Sequence, residues 1–279
     1  MSNLTQLILL PLLLITFITS CAFANQAQLT PSPSEPSKKP AIQAINIFMA
    51  GDSTMSIKDP KDYPETGWGV PFATFFGPGI NTVNLAKNGR STRTFITEGL
   101  WQNIEDNLSP GDYVFIQFGH NDQSTHKTDR YTTPAQYEAN IRNMIQITQQ
   151  KGGNVILMTP ITRRHFDDKN ILKLTHPYAK IVREIAEDTD VTFVDMESLT
   201  RQHFQSQGKT LSALRFMHIK PNLHPNYPNG ITDNTHLNQL GAREVAQLLL
   251  TNLRAINHPL IQQLRTPDPK HLKYHYKGL

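Results

Sequence analysis

The sequence predicts an α/β fold: a three-layer α/β/α sandwich around a five-stranded parallel sheet. Three observations carry that prediction. Short apolar runs alternate with longer amphipathic stretches. The stretches between runs are long enough for the helical crossovers that parallel strands require. No internal repeat or break in composition divides the 279 residues into two cores, and a chain of this length can bury one large core.

The first strand is predicted at 45–50, stopped by Gly51, and the second at 81–85. The third, 112–118, is opened by Pro110-Gly111 and closed by Gly119; 154–158 and 191–194 complete the set. A helix over 134–150 begins with Pro at its first position and ends before Gly152-Gly153. A second, 177–188, carries Ile181, Ile185 and Ala186 on one face. The last, 238–253, aligns Leu240, Val245, Leu248, Leu249 and Leu253 on a core stripe behind Asn238 as N-cap.

Residues 1–24 read as a signal peptide. The apolar stretch 7–18 is about a dozen residues long, short for a membrane span and right for a signal core. Ala22-Phe23-Ala24 then supplies an A-x-A cleavage signal. Ile18-Thr19-Ser20-Cys21 offers the alternative of a lipobox with a lipid anchor at Cys21; on either reading the protein is exported, to the periplasm or beyond. Cys21 is the only cysteine, so no internal disulfide is possible. The Pro-, Ser- and Gln-rich segment 25–40 reads as a flexible linker to a domain over 41–256, and the polar residues 257–279 as a peripheral C-terminal extension.

The net charge of +4 is spread over Lys38-Lys39, Arg90, Arg93, Arg163-Arg164 and the tail, which reads as solvated surface rather than a nucleic-acid footprint. No His-Glu-x-x-His or zinc-ligand spacing, phosphate-binding loop or Gly-x-Ser-x-Gly elbow occurs, so neither metal nor cofactor is expected.

In open parallel sheets, ligands bind at the carboxyl ends of the strands. Gly51-Asp52-Ser53-Thr54, Asn88-Gly89-Arg90-Ser91 and Gly119-His120-Asn121-Asp122 follow the first three predicted strands, and Asp233-Asn234-Thr235-His236 precedes the last helix. A serine hydroxyl needs a base to take its proton as it attacks. His236 is the candidate base, with Asp233 on the same predicted loop to orient its ring.

Those four segments, in that order, resemble the SGNH (GDSL-like) hydrolases, which implies their flavodoxin-like sheet. Thr54-Met55, Thr66-Gly67-Trp68-Gly69, Asn88-Gly89-Arg90-Ser91 and Phe118-Gly119-His120-Asn121-Asp122 are similar to the rhamnogalacturonan acetylesterases within that superfamily. The resemblance implies Ser53, Asp233 and His236 as a triad, and an oxyanion hole from the amides of Ser53 and Gly89 and the side chain of Asn121. It also implies an esterase acting on an acetylated polysaccharide, and the chain is expected to be a monomer. His120, Arg90 and Tyr227 are candidate substrate contacts; Asp52 and Asp122 read as loop braces, and Trp68 as core. The alternatives are a lysophospholipase, thioesterase or peptidoglycan O-acetylesterase, or a non-catalytic carbohydrate-binding protein.

Overall fold

The computed structural model describes residues 44–265. The predicted signal peptide, Cys21, the linker and the end of the C-terminal extension lie outside them. Five parallel strands form the central sheet: β1 (Ile45–Gly51), β2 (Ile80–Asn84), β3 (Tyr113–Gln117), β4 (Asn154–Met158) and β5 (Thr192–Val194), in the order β2-β1-β3-β4-β5. This is the expected doubly wound arrangement. Connections leave β1 first to one side and then to the other, so the carboxyl ends of β1 and β3 flank the switch in strand order, where such sheets open a crevice.

Alternation along each strand feeds two cores. Ile47 and Met49 of β1 face one layer, built from α1 (Gly69–Ala73), α6 (Met196–Ser212) and α7 (Gln239–Ala255). Phe48 and Ala50 face the other, built from α2 (Thr92–Thr97), α3 (Leu100–Asn107), α4 (Pro134–Gln150) and α5 (Ala179–Asp188). The start of α4 is set by a capping box: Gln136 N–H donates to Thr133 Oγ1 at 3.3 Å and Thr133 N–H to Gln136 Oε1 at 3.1 Å. Asn238 caps α7 by accepting from Gly241 N–H at 3.1 Å.

Three expectations need correction. Leu240 is exposed, and Ala242, Val245, Ala246, Leu249 and Leu253 form the buried stripe; at about 100° per residue, Leu240 lies roughly 140° round the helix from Val245. The C-terminal extension is not peripheral where it is described. Pro259–Gln263 forms a 3-10 turn with Leu260 buried, and Leu264 bridges to Phe76. Finally, Asp233 and His236 are not on a loop. They belong to β7 (Ile231–Leu237), which pairs antiparallel with β6 (Phe216–Ile219) in a separate two-stranded sheet.

Candidate active site

Ser53 sits in the turn that follows β1, only 7% exposed. The turn is closed by Asp52, whose Oδ1 accepts from Thr54 N–H at 2.9 Å and Thr54 Oγ1 at 2.8 Å. Asp52 Oδ2 lies 3.1 Å from His120 Nδ1. Burial would raise the Asp52 carboxyl, but the charge and hydrogen bond of His120, with the two hydrogen bonds from Thr54, hold it far below the usual range.

His236 reaches Ser53 from a break in the β6–β7 ladder. Phe216 pairs with Leu237 and Met217 with Asp233, so Asn234, Thr235 and His236 bulge out between consecutive rungs. Such bulges re-aim side chains. Asp233 builds this one, since its Oδ1 accepts from Thr235 N–H at 2.6 Å and His236 N–H at 3.1 Å. Its Oδ2 lies 2.7 Å from His236 Nδ1, and His236 Nε2 lies 2.9 Å from Ser53 Oγ. Burial pushes the Asp233 carboxyl up, but the bond and charge of His236 and the two amides outweigh it and hold it at about 2.

Two further contacts fix the hairpin against the serine turn. Thr66 N–H donates to Leu237 O at 2.9 Å, and two residues on Trp68 N–H donates to Thr54 O at 2.8 Å. Gly67 between them allows that approach, because a Cβ there would come within 2.2 Å of Ser56 O.

Gly89, at φ 78°, and Asn121 line the same cleft as Ser53 and His236. Asn121 Nδ2 donates to Arg90 O at 3.0 Å, which leaves its second N–H for a ligand. The cleft encloses about 370 Å³, and its remaining walls are Asp62, Glu65, Asn88, Lys127 and Arg130. It presents one acidic pair and one basic pair, with no apolar side chain among the residues that line it.

A model of the GDSL-like lipase/acylhydrolase family matches residues 49–243. The chain belongs to the GDSL-like lipase/acylhydrolase family. It is 36% identical over 234 residues to the rhamnogalacturonan acetylesterase RhgT of Bacillus subtilis, covering 84% of this chain and 98% of that one. The rhamnogalacturonan acetylesterase of Emericella nidulans is 28% identical over 232 residues, covering 76% of this chain and 85% of that protein. Among solved structures, YxiM of Bacillus subtilis superposes with a TM-score of 0.67 at 25% identity, over 77% of this chain and 57% of that one. Axe2, an acetylxylan esterase from Geobacillus stearothermophilus, shares the fold at a TM-score of 0.56 and 19% identity, over 76% of this chain and 94% of its own. Like its GDSL relatives, the chain is a carboxylic ester hydrolase.

Within this GDSL-like domain, the residues predicted to touch substrate each have a protein partner. His120 is 4% exposed and turned to Asp52, with its ring centroid 4.4 Å from that of His176. Arg90 is engaged by Glu98, at 2.9 and 2.8 Å, and by Asn88 O at 2.7 Å. Tyr227 donates its hydroxyl to Asp62 O at 2.8 Å, supporting a cleft wall from behind. Asp122 is the brace expected of it: its Oδ1 accepts from Thr92 N–H, Thr92 Oγ1 and Thr132 Oγ1 at 2.8, 2.6 and 2.9 Å. Burial pushes its carboxyl up to about 6 despite those bonds. Trp68 is core, donating to Gln117 Oε1 at 2.8 Å.

Arg163 and Arg164, read from sequence as surface charge, support the bulge. Arg163 donates to Thr235 Oγ1 at 2.8 Å and to His120 O at 3.3 Å. Arg164 is 8% exposed and donates to Asn234 Oδ1 at 2.8 Å. Asp62, Glu65, Lys127 and Arg130 also escaped the sequence reading, because no motif names them and loops bring them in. Among the described residues, no group of three or more His, Cys, Asp or Glu is arranged to hold a metal ion, and no helix is long and apolar enough to cross a membrane.

Proposed function

We propose that the protein is an exported serine esterase that removes O-acetyl groups from rhamnogalacturonan through an acetyl-enzyme. The observation that carries the chemistry is the unbroken relay from Ser53 Oγ to His236 Nε2 at 2.9 Å and from His236 Nδ1 to Asp233 Oδ2 at 2.7 Å. Ser53 Oγ attacks the acetyl carbonyl carbon while His236 Nε2 takes its proton. The carbonyl oxygen becomes an oxyanion and is met by the amides of Ser53 and Gly89 and the second N–H of Asn121. Asp233 remains a carboxylate, keeps the proton of the neutral ring on Nδ1 and balances the imidazolium. The tetrahedral intermediate collapses, the sugar oxygen leaves with the proton from His236, and the acetyl group stays on Ser53. Water, deprotonated by His236, then releases acetate by the same two steps.

The kinship with RhgT supports the polymer assigned, and the cleft supports it independently. Lys127 and Arg130 stand on its wall, Arg130 so close to Gly89 that a Cβ there would come within 2.7 Å of Nη1. Cations beside the oxyanion donors suit the carboxylates of a galacturonate-containing chain, and Asp62 and Glu65 on the same cleft suit its hydroxyls. A long acyl chain would find no apolar wall. Export rests on the apolar segment 7–18 and its cleavage signal; N-terminal sequencing and mass of the mature protein would separate cleavage after Ala24 from lipidation at Cys21.

Acetate release from acetylated rhamnogalacturonan and acetylated xylan tests the substrate. The wild type should favour the uronate polymer in kcat/KM. Replacing both cations, Lys127→Gln with Arg130→Gln, should narrow that preference about tenfold, the scale of one charge-assisted hydrogen bond. Equal turnover of the two polymers by the wild type, or a preference the double variant leaves untouched, would count against this assignment.

A further inference from the structure

Lys58 is hidden directly behind the cleft. Its side chain is 5% exposed, a placement lysine adopts only with partners for its charge. Its ammonium has three, matching its donor capacity. They are the Ser53 carbonyl oxygen, Asn88 Oδ1 at 2.7 Å and Glu65 Oε1 at 2.7 Å. Each acceptor belongs to a different segment of the site. Ser53 is the nucleophile, Asn88 immediately precedes the donor Gly89, and Glu65 opens the segment that ties the serine turn to β7. Ser56 Oγ donates to the same Asn88 Oδ1 at 2.7 Å, so that side chain is gripped twice. Glu65 itself bridges to Asn238, beside the hairpin that carries His236. Burial works against the charge on Lys58, and Glu65 is foremost among the groups that restore it.

We propose that Lys58 is a positioning residue that sets the spacing of the oxyanion donors. By drawing the Ser53 carbonyl and the Asn88 side chain to one ammonium, it holds the Gly89 amide in register with that of Ser53. Oxyanion donors act only within about 2.7–3.1 Å of where the charge develops. A loosened pair therefore weakens the transition state more than the bound substrate, lowering kcat while leaving KM near its value. The inference rests on the roles of Ser53 and Gly89 proposed above.

The test is a double-mutant cycle of Lys58→Met and Asn88→Ala, assayed in the full chain with 4-nitrophenyl acetate. Lys58→Met should lower kcat by roughly ten- to a hundredfold, a fraction of the loss of a whole donor, with KM within about threefold of the wild type. Because the lysine acts through Asn88, the double variant should lose little more than the worse single variant. Additive losses, a wild-type kcat in Lys58→Met, or a rise in KM alone would overturn the inference. Should Lys58→Met fail to fold, Asn88→Ala decides: Asn88 is exposed, so the variant should fold, and a wild-type kcat there overturns the inference equally. Ser53→Ala separates the two levels. If it turns over normally, the catalytic reading falls; if it is inactive while Lys58→Met is normal, only the role of Lys58 falls.

Discussion

Ser53 leaves an inner strand of the five-stranded sheet, whereas His236 rides on a two-stranded hairpin outside it. The strand behind Ser53 is buried on both faces by the two cores, and the turn is closed by the buried Asp52–His120 pair. The bulge that carries His236 is held mainly by polar contacts: the carboxylate of Asp233, the guanidinium groups of Arg163 and Arg164, and the Thr66 amide on Leu237 O. Ser53 is thus positioned by the stability of the whole fold, and His236 by a small set of hydrogen bonds. Changes to the hairpin's supports should reduce turnover well before they unfold the protein.

The largest expected effect of breaking that support is at Asp233. Asp233→Asn keeps an oxygen to accept the Thr235 and His236 amides but removes the charge and favours the wrong ring tautomer. Its kcat should fall roughly 10³–10⁴-fold, while the protein still folds with a thermal midpoint a few degrees below that of the wild type. A loss below tenfold would mean that His236 is oriented by something else. Arg163→Met comes next. It frees Thr235 from the His120 loop without touching Ser53, and should lower kcat about tenfold or somewhat more, with KM little changed, the worth of a charged hydrogen bond. An unaltered kcat would show that the bulge holds itself.

The smallest effect is on stability, where the two regions titrate in opposite senses. Asp122 in the sheet-end loops has its carboxyl raised from 3.8 to about 6, so the folded state holds that proton more tightly than the unfolded state does. Its ionisation therefore destabilises the fold, by nothing below pH 3.8 and fully above pH 6, a difference of about 2–3 kcal/mol at most. Asp233 is lowered from 3.8 to about 2, so its contribution is present above pH 3.8 and lost as pH falls toward 2. Relative to the wild type, the thermal midpoint of Asp122→Asn should therefore rise as pH goes from about 4 to 6. A difference between the two proteins that stays constant from pH 4 to 7 would contradict the part given to Asp122.

The same contrast governs what could be read from the sequence. Strands buried on both faces are near-continuous apolar runs, so β1, β3 and β4 stood out. The bounds of α4 were legible because Pro134 and Gly152 punctuate it. The β6–β7 hairpin was not legible, because the segment that carries Asp233 and His236 is rich in Asp, Asn and Thr and lies half-buried, giving a loop's composition to a strand. The short helices α1 and α2 have too few turns to show a period, and α6 is broken at Gly208, where φ is 68°. In the site, Ser53, Gly89, Asn121, Asp233 and His236 converge as their motifs implied, because each is fixed to a strand end or a ladder. Arg90, His120 and Tyr227 are turned to other partners, which spacing along a chain does not specify. Lys58, Arg163 and Arg164 look like surface charge in sequence and are structural only because of what folds over them.

The central claim is that Ser53 is acylated. Its most direct test is acetate release from acetylated rhamnogalacturonan by Ser53→Ala, with folding checked by thermal midpoint. The expected result is a folded protein whose turnover has dropped by roughly 10⁴-fold or more. A folded Ser53→Ala that still releases acetate at a rate near the wild type would contradict the account.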